Sequence, residues 1–499
     1  MFFHLASLVA LHLGTTSAAP ANEVVAAAAV TGPCDIYAAG NTPCVAAHST
    51  TRALFGAYTG SLYQVRRGSD NATSNITPLS AGGVANAATQ DSFCSSTTCV
   101  ITIIYDQSGK GNHLTQAPPG GAAQGPNVGG LDDLAGATGA PVTLNGQKAY
   151  GVFIAPFTGY RNDATNGIAT GDNPEGLYSV FDGTHYNGAC CFDYGNAETS
   201  ALDTGAGHME AIYFGLGTGF NIGSGSGPWI LADLENGLYN SANLGVVVNQ
   251  NEPTINNRFI TAVVKGNSGN SWAIKGGNAN SGALTTYFAG ARPPPPDSSE
   301  HYNPMSKEGS IILGIGGDNS NGAQGTFYEG VMTSGYPSDA TENAVQANIV
   351  AANYAPTYLV SGPSVSIGST VTFRATTPCC TTDYIWHNGT SIQISTAGTG
   401  TDAARWVARA GMAAINCFSF ESVDTPGSFI RHSAYQLVLN ANDGSLDGQG
   451  STLRSWSYPA RNWRHYDFNV FIAANGGHLA ADSPSLYNDD ASFVIGSGF

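Results

Sequence analysis

Charge is scarce in this chain. Asp, Glu, Lys and Arg make up 11% of 499 residues, and bases are the minority, with 18 Lys and Arg against 35 Asp and Glu. A formal charge of −17 excludes nucleic acid and anionic membrane as natural partners, because both reward Lys and Arg. A neutral polymer stays compatible. After the N-terminus no run approaches the ~20 apolar residues of a membrane span. No Ser sits in a Gly-x-Ser-x-Gly frame, which argues against a serine hydrolase. No cysteine spacing resembles a zinc site, and neither a metal nor an organic cofactor is expected. Helical periodicity is nearly absent too. One segment carries it, about Ser338 to Ala352, with Asp339 and Glu342 near its start and Ala344, Val345, Ile349 and Val350 as its apolar side.

Turn-forming chemistry is abundant instead. The chain has 64 glycines and 10% aromatics, with Gly, Ser, Thr and Asn separating short apolar runs. That pattern predicts an all-β protein. At about 100–200 residues each, two to four domains fit the length. Residues 1–19 read as a secretory signal, an apolar stretch followed by small residues. Its positive n-region is missing, His4 standing alone, and the Ala-rich run Val24 to Val30 extends the candidate end to about residue 31. Sequons at Asn71, Asn75 and Asn388 fit an extracellular route.

Nine cysteines leave an odd one. Cys34 and Cys44, and Cys94 and Cys99, are close pairs that would close small loops in an oxidising compartment. Cys190-Cys191 and Cys379-Cys380 are adjacent. A bond between neighbours makes a strained ring, so the plain reading of each is two separate thiols.

A boundary falls at residues 353–365. Upstream, 32–352 is one long Gly-rich β region, and Arg292 with the prolines after it reads as a stiff, extended surface loop. Downstream, 366–499 holds an internal repeat: Tyr384-Ile-Trp-His387, Phe429-Ile-Arg-His432 and Asn462-Trp-Arg-His465. A second signature pairs Asp402-Ala-Ala-Arg-Trp406 with Asp489-Asp-Ala-Ser-Phe493. Three β-rich repeats suggest a β-trefoil, an architecture that makes carbohydrate sites once per repeat. The second repeat is short, since His387 and His432 are 45 residues apart but His432 and His465 only 33. The three histidines suit polar contacts in a repeated pocket better than metal ligation, as no Cys or acid cluster accompanies all of them.

Two apolar runs end in an acid followed by Asn: Trp229-Ile-Leu-Ala-Asp-Leu-Glu235-Asn, and Ile311-Ile-Leu-Gly-Ile-Gly-Gly-Asp318-Asn. With a period of two, Trp229, Leu231, Asp233 and Glu235 share one face and Ile230, Ala232 and Leu234 the other. An aromatic and two acids on one side look like the floor of a polar cleft. Glycoside hydrolysis needs two carboxyls, about 5–5.5 Å apart in a retaining enzyme, and Glu235 with Asp318 is the best pair. The alternative is ordinary turn chemistry at strand ends. Asp193, Glu210 and Glu329 are competing acids. Trp229 and the many Tyr residues are candidate sugar platforms, though most suit a core.

At these residues the chain resembles fungal α-L-arabinofuranosidases of glycoside hydrolase family 54 that carry an arabinofuranose-binding module of carbohydrate-binding module family 42. The matching strings are Cys-Asp-Ile-Tyr-Ala from Cys34, Tyr-Asp-Gln-Ser-Gly-Lys-Gly-Asn from Tyr105, Cys190-Cys-Phe-Asp-Tyr-Gly-Asn, Asp233-Leu-Glu-Asn-Gly, and Gly-Ile-Gly-Gly-Asp318-Asn-Ser-Asn-Gly-Ala-Gln-Gly. The resemblance implies a jelly-roll-like β-sandwich catalytic domain followed by a β-trefoil. It implies a secreted exo-enzyme, expected as a monomer, that removes arabinofuranosyl groups from arabinan and arabinoxylan by double displacement. Glu235 falls on the nucleophile and Asp318 on the acid/base. Asp233, Asn236, Gly237 and Gly317 fall on sugar-contacting positions. The family joins Cys190 to Cys191 beside the sugar, which revises the two-thiol reading there, and pairs Cys34 with Cys44 and Cys94 with Cys99.

Departures lie in the C-terminal module. The third repeat keeps His465, Asp467 and Asp490. The first has Ala403 where an Asp would precede Trp406. The second keeps His432 but lacks the segment that should hold its Asp and a cysteine partner for Cys417. One competent sugar site and an unpaired Cys417 are expected. Two rivals stay open: a catalytically inactive two-domain sugar-binding protein, and an exo-glycosidase acting on xylosides.

Overall fold

The computed structural model describes residues 30–499 except 96, 295–298, 357–364, 376, 378, 413–417, 443–461, 474–478, 484–490, 492 and 497–499. The expected leader at 1–19, Cys417 and Asp490 lie outside the described residues.

The chain is built from strands, and the N-terminal region stacks two antiparallel layers. The first is nine-stranded, with Glu175–Tyr186 between Phe259–Asn267 and Gly325–Ser334 near its centre. The second is ten-stranded and contains, side by side, Trp229–Asp233, Glu210–Gly215, Asp193–Ala197 and Ser310–Leu313. Their facing sides meet in one apolar core. Aromatics bridge the layers, Phe181 to Phe192 at 4.9 Å and Tyr194 to Phe327 at 5.1 Å between ring centroids. Burial of such faces is the main driving force for this packing.

The expected alternation along Trp229–Asp233 is present. Ile230, Ala232 and Leu234 join the shared core. Trp229 and Leu231 pack on the opposite side with Tyr213, Leu238 and Cys191. The strand ends at Asp233, however, and Glu235 and Asn236 both adopt left-handed backbone, with φ of 61° and 56°. Glu235 is therefore not a strand residue on the Asp233 face. A tight turn, closed by the Glu235 N–H donating to Asp233 Oδ1 at 3.1 Å, re-aims it.

The one periodic helix forms as α3, Asp339–Ala351, with the Ser338 side chain accepting from Thr341 N–H at its N-cap. Two helices of seven residues, α1 (Pro33–Ala39) and α2 (Ala87–Phe93), carry no usable periodicity. α1 is tied to the next strand by Cys34–Cys44, and Cys94–Cys99 closes the loop after α2. Cys190–Cys191 and Cys379–Cys380 are both disulfides, so the two-thiol reading fails at each. Arg292 corrects another expectation. It is not on a surface loop but buried, donating to Glu210 Oε1 at 3.1 Å.

Downstream, eight strands close a barrel: Tyr384–Asn388, Thr370–Ala375, Trp406–Ala410, Phe418–Ser422, Ser428–Ser433, Gln436–Ala441, Asn469–Ala473 and Ser391–Ser395, the last pairing back to the first. Trp406, Trp463, Phe373 and Phe420 fill it. The internal repeat is visible as three hairpins in one register, His387 opposite Ile392, His432 opposite Leu437 and His465 opposite Val470.

Candidate active site

The second layer turns its outer side to the site, and the floor there is low. Gly195 pairs with Ala211, which pairs with Asp233 across three adjacent strands. A Cβ on Gly195 would lie 2.6 Å from the Ala211 Cα. It would also meet Leu177 Cδ2 of the first layer at 2.8 Å, so glycine lets strands and layers approach closely here.

Acids rise around this floor. Asp193, Asp233 and Glu235 are buried, as is Glu198, one residue past the strand Asp193–Ala197. Asp318 follows the strand Ser310–Leu313 through a glycine turn, and its Oδ1 accepts from Ser320 N–H at 3.0 Å and from Ser320 Oγ at 2.6 Å. Its carbonyl accepts from Ala122 N–H at 3.0 Å. Below that turn, Asp132 accepts from Asn321 at 2.7 Å and Asn319 at 3.3 Å, and burial pushes its carboxyl up to about 7. Buried Arg161 ties the two strand ends together, donating to the Gly317 carbonyl at 2.5 Å and to the Glu198 carbonyl.

The carboxyls face one another in pairs. Asp193 faces Asp233, and Glu198 faces Glu235, and two carboxyls this close favour one shared proton per pair. Burial, then the Glu198 carboxyl and the Asp233 charge, push Glu235 up to about 12. Burial raises Asp233 to about 7 and raises Asp193 well above the carboxylate range, the neighbouring Asp233 adding to it. Like charges crowded out of water cannot all ionise, so the cluster holds protons at neutral pH.

The Cys190–Cys191 disulfide borders the cluster. A Cys191 sulfur lies 3.5 Å from Asp233 Oδ2, and Cys191 N–H donates to the Ser320 carbonyl at 3.0 Å, joining the disulfide to the Asp318 turn. These sulfurs are bonded to each other and offer no thiolate to a metal. Cys190 is exposed and Cys191 buried, which leaves one flat apolar edge facing outward. Across the site, Tyr302 Oη donates to the Glu235 carbonyl at 3.0 Å. A Cβ on Gly237 would lie 2.3 Å from the Tyr239 ring, so only glycine fits there. Asn236 is exposed and reaches Asp203 and Glu300 at 3.4 Å each.

Of the competing acids, only Asp193 joins the cluster. Glu210 is locked between Arg292 and Lys307, and Glu329 is clamped by Arg52 with Tyr178 and Tyr354 bonded to it. Trp229 is buried core. Glu198 and Arg161 escaped the sequence reading. Glu198 shared with Glu235 the one available signal, an acid just beyond the end of a floor strand.

In the barrel, His387 Nε2 lies 2.6 Å from Asp424 Oδ1 and is bonded to Ser422 as well, so the histidine of the first repeat is already partnered. His465 is buried with Nε2 2.7 Å from Thr377 Oγ1, whereas Asp467 sits in the exposed hairpin turn beyond it, with φ of 48°. His432 is partly buried, and desolvation lowers it to about 4.

An all-β scaffold that crowds five carboxyls from neighbouring strand ends into one site, their ionisation opposed by burial and by one another, defines a glycoside hydrolase. Known proteins give the family. The profile of the α-L-arabinofuranosidase B catalytic domain matches residues 33–355, and that of the α-L-arabinofuranosidase B (ABFB) domain matches 373–495. The chain belongs to the α-L-arabinofuranosidase B family. A probable α-L-arabinofuranosidase B of Aspergillus clavatus is 63% identical, covering 94% of this chain and 95% of that one. An arabinofuranosidase/β-xylosidase of Trichoderma koningii is also 63% identical, over 94% of this chain and 96% of its own length. A solved arabinofuranosidase complexed with arabinofuranosyl-α-1,2-xylobiose superimposes with a TM-score of 0.89 at 59% identity, covering 94% of this chain and 99% of that one.

Proposed function

We propose that this exo-arabinofuranosidase removes terminal arabinofuranosyl groups from arabinan and arabinoxylan by double displacement, with Glu235 as nucleophile and Asp318 as acid/base. The observation that carries this reading is that two separate strand-end turns bring these acids to the rim of one carboxyl cluster. Glu235 attacks the anomeric carbon while Asp318 gives its proton to the departing glycosidic oxygen. Asp318 then takes a proton from the water that cleaves the glycosyl ester and frees arabinose with retained configuration. Asp233, Asn236, Gly237 and Gly317 contact the sugar, and the Cys190–Cys191 edge packs on its ring. Glu235→Ala and Asp318→Ala should each lower kcat on 4-nitrophenyl α-L-arabinofuranoside by roughly a thousandfold or more with the fold intact. NMR of the first-formed product should show retention. Near-normal turnover by either variant, or inversion, contradicts the assignment.

The proposed organisation is a β-sandwich catalytic domain at 32–352, a linker at 353–365 and a β-trefoil at 366–499, supported by three hairpins of identical register around the barrel. His465, with Asp490 and Asp467, forms the one competent arabinofuranose site, and His432, its repeat shortened, a weakened one. Titration of arabinose into the Glu235→Ala chain should fit a single module site that His465→Ala abolishes. Two equivalent sites would overturn this. Such a module holds the enzyme on its polymer and raises local substrate concentration. The reading includes a monomer and its secretion, the latter supported by the leader-like residues 1–19 and by the exposed sequon residues Asn71, Asn75 and Asn388. The Trichoderma koningii relative favours a second activity on β-xylosides in the same site, tested by comparing the two chromogenic sugars.

A further inference from the structure

Glu198 has no assigned part in the chemistry, yet it sits beside Glu235 and against the glycine that precedes Asp318. Its side chain is 0% exposed, and neither carboxyl oxygen makes a well-formed hydrogen bond with an N–H or a hydroxyl among the described residues. On one side, a Cβ on Gly317, the residue before Asp318, would lie 2.0 Å from Glu198 Oε2. On the other side its carboxyl meets that of Glu235. Its backbone is pinned where it stands, the carbonyl by Arg161 and the following Thr199 N–H by Glu308 Oε2 at 3.0 Å. On a backbone held this firmly, the buried carboxyl has its own N–H and the Glu235 carboxyl as its polar neighbours. It shares a proton with Glu235.

We propose that Glu198 is the positioning residue of the nucleophile: it takes the Glu235 proton across their shared hydrogen bond and so presents Glu235 to the sugar as an oriented carboxylate. The inference rests on the nucleophile reading above. The proton balance closes within the pair. Before attack the pair holds one proton and one negative charge. As the bond from Glu235 to the anomeric carbon forms, the proton resides on Glu198, and the bond to the leaving oxygen breaks with its proton drawn from Asp318. Hydrolysis of the ester returns the charge to Glu235, and the pair again shares its proton. No solvent proton has to enter the buried site.

The pair titrates as a unit. Its last proton is held tightly, since removing it would leave two buried charges side by side. The remaining O–H helps the first proton leave by donating to the new carboxylate, but burial still holds Glu198 above its ordinary value. The groups facing the pair are Asp233, Asp193 and Asp203, which oppose ionisation, Glu308, which does the same more remotely, and Arg161, which favours it. Activity should therefore fall on the acid side as the pair takes its second proton. Replacing Glu198 removes the donating O–H and leaves Glu235 a lone buried acid.

The test uses the full chain and an arabinofuranose-configured cyclic sulfate, whose leaving group needs no proton, so its rate of labelling Glu235 reports the nucleophile alone. In Glu198→Ala the acid limb of the labelling rate should move to higher pH by about one unit or more. Glu198→Gln, which keeps an N–H donor, should shift it less and recover part of the rate. A merely structural role would lower the rate or the melting temperature and leave the limb in place, which overturns the proposal. So does an unchanged rate and profile. Labelling at a residue other than Glu235, or turnover by Glu235→Ala, would instead sink the underlying nucleophile assignment.

Discussion

A Cβ on Gly317 would lie 2.0 Å from Glu198 Oε2 and 3.1 Å from the Met209 sulfur, so alanine there must push the Glu198 carboxyl aside. That carboxyl is the end of a flexible side chain, and the fold can yield without unfolding. The site cannot, because displacement by a fraction of an ångström misplaces both neighbouring turns. Gly317→Ala should therefore cut kcat/KM on a chromogenic arabinofuranoside by about a hundredfold while the melting temperature moves by only a few degrees. A large melting shift with normal kcat/KM would show that the contact matters to folding alone. Much of this site could be read from residues. Acids at strand ends marked Glu235 and Asp318, and the matching strings marked the adjacent cysteines. Glu198 carried the same strand-end signal but was passed over, because its importance lies in what surrounds it: burial, a glycine on one side and a second acid on the other. Single-chain patterns do not encode such neighbours.

Elements show the same division. The alternating run ending at Asp233 was legible because one face joins the core and the other does not. The turn that re-aims Glu235 was half legible: Asn236-Gly237 signals a turn, but nothing at Glu235 itself announces left-handed backbone, and tertiary contacts such as Tyr302 on its carbonyl hold it. α3 was legible from its cap and period, but its role was not. Its first turn supplies Asp339 and Glu342 to two buried cations of the first layer, Lys265 and Lys275, with Glu342 Oε2 at 2.9 Å and 2.6 Å from their ammonium nitrogens. Glu342 is 1% exposed and Asp339 mostly exposed, so Glu342 carries the compensation within the interior. Glu342→Gln strands two desolvated ammonium groups and should cost about 3–5 kcal/mol in denaturant unfolding. KM should stay unchanged, because the contact lies in the first layer, away from the carboxyl cluster. A loss well under 1 kcal/mol would mean that Asp339 and water suffice.

For the whole molecule, the scarcity of charge has a thermodynamic side. Acidic groups outnumber basic ones, and several are buried without a cation. Glu252 is 0% exposed, accepts from Ile230 N–H at 2.6 Å and Asn240 Nδ2 at 2.7 Å, and is raised by burial to about 8. Asp132 and Asp233 are raised to about 7, again chiefly by burial. A carboxyl whose folded pKa exceeds its unfolded value binds more protons when folded. Its stabilising contribution is complete below about pH 4 and is lost as pH rises through the folded value. Stability should thus decline between about pH 4.5 and 8. At the other end, Glu308 is held down to about 2 by His208, Thr204 and Thr199, and Asp339 to about 2 by Lys275 and Lys265. These two contribute above the unfolded carboxylate range and lose that contribution as pH falls through their folded values. The melting temperature should accordingly peak at about pH 4–5 and fall on both sides. Glu252→Gln offers the sharpest check. It keeps an acceptor for Ile230 and cannot ionise, and Asn240 can turn its amide oxygen toward the new NH₂. The variant should melt less steeply with pH than the parent between pH 5 and 8, measured by scanning fluorimetry. A parent whose melting temperature climbs over that interval, or a variant with an identical slope, would show that these acids reach water more freely than their burial implies.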